Sequence, residues 1–195
     1  MIKLAKTGLL SVALLATVVA NASKIGVVKS SKDKIVNISF TEITKEETIS
    51  VIDIQGVKLY TEKLKNKNSY IKKFDFSSLP IGIYFFESRG AKEINVTPII
   101  IKKDIATVLS EDTKTYNAPE IKLDTDTSIA SVMVKNFDSS TVVITIYDAY
   151  GNELENSIYK NLLVYKAYNF SKSKKETYTI SVTQAGYTFN KSIDL

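Results

Sequence analysis

The segment Phe74–Ser88, FDFSSLPIGIYFFES, reads as strand, corner, strand. Phe74 and Phe76 alternate with polar residues, Leu79, Pro80 and Gly82 interrupt the run, and Tyr84 opens a second apolar stretch. Proline presets φ and glycine accepts a tight reversal, so this composition fits a corner between two strands. A tyrosine at the start of the second strand packs its ring inward and can return its hydroxyl to a backbone group upstream. A worn version follows 94 residues later as YNFSKSKKETYTISV, Tyr168–Val182. There Tyr168, Phe170 and Tyr178 match Phe74, Phe76 and Tyr84, while Ser173, Lys174 and Glu176 replace Leu79, Pro80 and Gly82.

A second repeated feature lies upstream of each corner. ISVIDIQGVKLY places Asp53 and Gly56 where ITIYDAYGNELE places Asp148 and Gly151, and Leu59 matches Leu154. An aspartate at the first turn position accepts backbone N–H groups ahead of it, and a glycine three residues on takes the left-handed conformation that lets the next strand resume. Each is therefore expected to be a β-hairpin turn. Calcium takes six or more oxygens, so a single carboxylate at each turn does not by itself make a cation site.

The residues between these turns alternate with period two. Val36, Ile38 and Phe40 do so in KIVNISF, Val142, Ile144 and Ile146 in TVVITIYD, Tyr178, Ile180 and Val182 in YTISV, and Tyr187 and Phe189 in AGYTFNKSI. Period two in β-branched and aromatic residues predicts half-buried antiparallel strands. No stretch after the first 22 residues sustains a helical stripe. The expected fold is all-β: two tandem immunoglobulin/fibronectin-like antiparallel β-sandwich modules after a leader helix, with the corner acting as the tyrosine corner of such sandwiches. The first module is expected over 31–103, a polar linker over 104–116, and a diverged second module over 117–195. Residues 23–30 are expected to be a short tail or an extra edge strand.

Residues 1–22 read as a secretory signal peptide, with Lys3 and Lys6, then an uncharged apolar run, then Ala20-Asn21-Ala22 at the cleavage position. The chain has no cysteine and no histidine. Disulfides, a Ser-His-Asp triad and His-ligated metal sites are therefore out of reach of this composition. No catalytic constellation emerges from the remaining residues, since the acids of DTDT (124–127) and SED (110–112) fall in expected loops. No enzyme activity, cofactor or metal is expected.

Charge is uneven. From Ser23 to Lys103 there are 15 basic and 9 acidic residues, and from Asp104 to Leu195 there are 9 and 12. Lys63, Lys65, Lys67, Lys72 and Lys73 crowd the connection before the first corner. They are weak candidates for an anionic partner such as lipid headgroups or acidic polysaccharide. The ordinary alternative is a solvated loop. Arg89 is the sole arginine, which argues against evolved phosphate recognition. Nucleic acid is not an expected partner.

The stretch from VIDIQGVKLY to FDFSSLPIGIYFFES resembles the immunoglobulin-like C-terminal sorting domains of the type IX (Por) secretion system of Bacteroidota. It is also similar to small periplasmic β-sandwich proteins of those bacteria. The resemblance rests on the Asp53–Gly56 hairpin and on Phe74, Phe76, Leu79, Gly82 and Tyr84. It covers about Thr48 to Lys103 well and Val142 to Leu195 weakly. It implies an exported protein, periplasmic, secreted or at the cell surface. The favoured expectation is a non-catalytic envelope-interaction or surface-binding module whose partner is an envelope protein or anionic surface polymer. The alternative is that the C-terminal module sorts or anchors the first through type IX secretion.

Overall fold

The computed structural model describes residues 24–30, 34–41, 46–65 and 69–195. The expected signal peptide at 1–22 lies outside the described residues, as does Lys67. The chain divides into two units between Tyr116 and Asn117. Among the described residues there are sixteen β-strands, one 3-10 turn and no α-helix.

The first module comprises β1 (Lys24–Ser30), β2 (Ile35–Thr41), β3 (Glu46–Asp53), β4 (Lys58–Lys65), β5 (Ser69–Asp75), β6 (Gly82–Arg89), β7 (Glu93–Ile101), β8 (Ala106–Val108) and β9 (Lys114–Asn117). One sheet has the order β1-β2-β5 and the other β4-β3-β6-β7-β8, with β9 also pairing β7. The alternation read from the sequence places Val36, Ile38 and Phe40 fully inside. They meet Ile49, Val51, Phe86, Ile99 and Ile101 of the second sheet in one core. Phe86 lies edge-on to Phe74 at 4.9 Å and tilted to Phe40 at 5.6 Å between ring centres. Burying each such ring contributes about 1.5–3 kcal/mol, which is how a cysteine-free module of this size holds together.

The second module comprises β10 (Glu120–Asp124), β11 (Ile129–Lys135), β12 (Val142–Tyr147), β13 (Glu153–Tyr159), β14 (Leu163–Asn169), β15 (Thr177–Gln184) and β16 (Tyr187–Asp194). Its sheets have the orders β10-β11-β14 and β13-β12-β15-β16. Its core, built on Val132, Ile144, Ile146, Phe170, Ile180 and Val182, is more aliphatic than the first.

The structural repeat runs further than the residue identities. Lys34 and Ser128, 94 residues apart, both hold positive φ, 57° and 53°. The carbonyl of each accepts a backbone hydrogen bond from the residue before the corner, Phe76 at 3.0 Å and Phe170 at 2.8 Å. The registers correspond as well: Val36 faces Phe74, and Ala130 faces Tyr168.

The segment 104–116 departs from the expected linker. It carries β8, a 3-10 turn at Ser110–Asp112 and β9, and it lies within the first unit. Ala106 and Val108 join the core, and Tyr116 is buried. Only Ala118 and Pro119 stand between β9 and β10. The segment between Lys24 and Ser30 is a strand, pairing β2 antiparallel.

Candidate functional site

Each hairpin turn closes as its residues dictate. The Asp53 carboxylate accepts the backbone N–H groups of Gln55 at 2.9 Å and Val57 at 2.8 Å. Asp148 accepts those of Tyr150 at 2.9 Å and Asn152 at 2.8 Å, and the Asn152 side-chain amide donates to its other oxygen at 2.8 Å. Gly56 and Gly151 sit at φ 86° and 82°. One oxygen of each carboxylate is thus occupied by the turn itself. The hydrogen bond from the Asn152 side chain, helped by the backbone bonds of Asn152 and Tyr150, outweighs desolvation and holds the Asp148 carboxyl below its usual range. The Asp124 carboxylate accepts the N–H groups of Asp126 and Thr127 in the same way. Among the described residues no three acidic side chains gather to hold a metal ion.

The two corners share one geometry. The Tyr84 hydroxyl donates to the Pro80 carbonyl at 3.1 Å, and the Tyr178 hydroxyl donates to the Lys174 carbonyl at 3.1 Å. The turn bonds match too, from Leu79 N–H to Phe76 at 3.0 Å and from Ser173 N–H to Phe170 at 2.8 Å. Leu79 packs on the edge of the first core. Gly82 does not play the part expected of it. It is absent from the positive-φ residues, and a Cβ there would meet only the Tyr84 ring at 3.6 Å, an ordinary contact. That is why Glu176 stands in its place in the second corner without altering it.

The lysines near the first corner do not form one patch. Lys63 and Lys65 stand exposed on β4, and Lys73 stands exposed on β5 of the opposite sheet. Lys72 turns inward. Its ammonium donates to Glu62 Oε2 at 2.7 Å and to the Tyr60 hydroxyl, and lies 4.6 Å from the Tyr60 ring centre. Glu62 also accepts from the Tyr60 hydroxyl and from Tyr70 at 2.9 Å. This network ties β4 to β5 across the two sheets. Desolvation pushes the Glu62 carboxyl up, but the bonds from Lys72, Tyr60 and Tyr70 outweigh it and hold the group at about 2. The bonds to Glu62 and Tyr60 push Lys72 up. Tyr60, Glu62 and Tyr70 were not singled out in the sequence. The signal was present, because residues two apart on β4 and β5 share the inner face.

Lys63 and Lys65 do meet another cation. With Arg89, Thr48 and Leu64 they line a recess of about 320 Å³. The buried Glu47 also lines it and accepts a hydrogen bond from the Ser88 hydroxyl. Arg89 donates to Glu87 at 3.3 Å. The recess therefore offers a basic rim over a buried carboxylate.

Comparison with known proteins bears on the first module most. A family described as "Secretion system C-terminal sorting domain" matches residues 32–102. None of the curated proteins matches the chain. Among solved structures, one named "Biofilm associated protein - BSP domain" matches at 16% identity and a TM-score of 0.30, covering 87% of this chain. This chain spans 29% of that one, and the likeness carries no functional argument. The residues matched by the family hold both the Asp53 hairpin and the Tyr84 corner, and through them the chain resembles the sorting domains that mark a protein as exported, secreted or held at the cell surface.

Proposed function

We propose that this chain is an exported, non-catalytic surface protein built from sorting-domain sandwiches, with the C-terminal module serving as a type IX sorting or anchoring address for the first. The observation that carries the reading is the family match over 32–102. The second module repeats the same turn and corner bonds 94 to 95 residues on, which extends the sorting-domain reading to residues 117–195. The test is a periplasm-directed fluorescent reporter fused ahead of residues 117–195, expressed in a Bacteroidota host with a working type IX translocon. The reporter is expected on the surface or in the medium, and in the periplasm of a translocon-deficient strain. Periplasmic retention in both strains would overturn the assignment to the second module, and the same fusion to residues 31–116 then tests the first.

The recess rimmed by Lys63, Lys65 and Arg89 favours a second reading, a periplasmic or surface module that binds an anionic polymer. On that reading, binding to a polyuronate falls steeply between low salt and about 0.5 M, where screening is nearly complete, and is lost in Lys63→Ala/Lys65→Ala. Equal binding by that double variant would remove it.

A further inference from the structure

A two-sheet sandwich has two open sides, and among the described residues three of the four are closed. On the β4/β5 side of the first module, Lys72 reaches over the Tyr60 ring and bonds Glu62. On the β13/β14 side of the second, Lys166 lies over the Tyr159 ring, also at 4.6 Å. The first module's other side is closed by β8 and β9, which pair the edge of β7 and send Ala106 and Val108 into the core. The matching edge in the second module is β16, and among the described residues no strand covers it.

Position by position, the difference is visible. Tyr84 pairs Ile99 as Tyr178 pairs Ile193, so Thr97 corresponds to Lys191 and Asn95 to Phe189. Thr97 is 0% exposed and Asn95 6%, whereas Lys191 is exposed and Phe189 half-buried. Phe189 and Lys191 pair with Val182 and Ile180 of the core, so both sit on the inner face, and no described strand lies beyond them.

Strand β16 carries Lys191 on its inner face but lacks the register breaks found at three other long edges. The register of β1 shifts between Val27 and Lys29, that of β4 against β3 at Val51/Ile52, and that of β13 against β12 at Ile146/Tyr147. β13 carries Glu153 and Glu155, β4 carries Lys58, Lys63 and Lys65, and β5 carries Lys72 and Lys73. β16 pairs β15 through eight unbroken steps, carries no proline, and turns Thr188, Asn190, Ser192 and Asp194 outward. A long, regular edge without proline is a template for strand addition.

We infer that β16 is a homodimer interface, pairing antiparallel with β16 of a second copy about a two-fold axis through Asn190. The occupant follows from self-complementarity. In this register Phe189 of each copy faces Lys191 of the other, recreating the inward lysine over an aromatic ring that closes the other side of both modules. Tyr187 faces Ile193, Thr188 faces Ser192, and no two lysines meet. An isologous pairing of this kind closes at two copies and does not propagate.

The absence of native cysteine makes the test direct. The purified exported chain carrying Asn190→Cys is oxidised at about 100 µM, alongside Lys122→Cys on β10, with sedimentation of the unmodified chain over a concentration series. Expected are a concentration-dependent dimer, at least about tenfold more disulfide-linked dimer for Asn190→Cys than for Lys122→Cys, and at least about tenfold weaker association for Asn190→Lys, which sets like charges face to face. Asn190 is exposed, so neither substitution disturbs the core. A chain that stays monomeric at 200 µM, or a dimer indifferent to Asn190→Lys, would overturn the inference. A monomer whose β16 amides become protected only on adding a different envelope protein would overturn it in favour of a heterologous strand.

Discussion

The two modules keep the same backbone bonds while exchanging the residues around them. Leu79-Pro80-Ile81-Gly82 in the first corner and Ser173-Lys174-Lys175-Glu176 in the second share no residue, yet each tyrosine hydroxyl donates to the carbonyl four positions back at 3.1 Å. Cores differ in the same manner, with Phe40 and Phe86 of the first replaced by Val134 and Ile180 of the second. The lesson is that the corner is held by its buried ring and that one hydrogen bond, and the proline and glycine are accessories. Where the modules truly part is at their sides. One is closed by an ionic network and two added strands, and the other by a lone lysine over a ring.

The sharpest way to break the comparison is through the cores. Phe86→Ala should cost the first module about 3–5 kcal/mol and Ile180→Ala the second about 2–5, each by losing packed atoms and leaving a cavity. Because the two cores are separate clusters, hydrogen exchange should accelerate throughout the affected module and hold in the other. Loss of protection in both from either substitution would show the cores to be energetically one.

Acid should weaken the modules unequally. The Glu62 carboxyl sits at about 2 when folded, below its ordinary 4.5. Its contribution is therefore whole above about pH 4.5 and is lost as pH falls through 2. Discounted for solvent around a partly exposed pair, this amounts to about 2 kcal/mol. Ser157, which does not itself titrate, stands at the matching position of the second module and donates to Glu155 at 2.7 Å. Exchange protection of β4 and β5 should fall relative to β13 and β14 over that window, and Glu62→Gln should flatten the difference. An unchanged profile in that variant would mean the network does not stabilise the fold.

Smaller effects sharpen the corner. Tyr84→Phe and Tyr178→Phe should each cost about 1 kcal/mol, the net worth of one hydrogen bond, and by similar amounts in chemical unfolding. A cost confined to Tyr84 would restore the proline and glycine to importance. Smallest is Gly82→Glu, which gives the first corner the residue of the second. It should stay within about 0.5 kcal/mol, since neither φ nor space requires glycine there.

The strands were legible where an inward residue recurs every second position, as Val36, Ile38 and Phe40 show. The turns were legible because Asp53 and Gly56 each have one physical reason to be there. Segment 104–116 was not, because β8 has three residues and β9 four, too short to display alternation. Just three of their side chains, Ala106, Val108 and Tyr116, are buried. The lysines misled for a related reason. Lys63, Lys65, Lys72 and Lys73 are neighbours in the chain, but β4 and β5 belong to different sheets and alternate residues face opposite ways. The match between β2 and β11 was hidden because apolar residues replaced one another, and its clearest mark, positive φ at Lys34 and Ser128, has no residue signature.

The tyrosine bond at the corner has a consequence for how such modules drift and are recognised. Residues that merely ease a reversal are free to change once a buried hydroxyl has fixed the path, so lineages of this fold should lose their Leu-Pro-x-Gly before they lose the ring. A motif written in those four letters counts one module here. A spacing rule, a tyrosine whose hydroxyl reaches the carbonyl four residues earlier and a left-handed residue 42 positions before the bonded nitrogen, as Lys34 precedes Phe76 and Ser128 precedes Phe170, counts two.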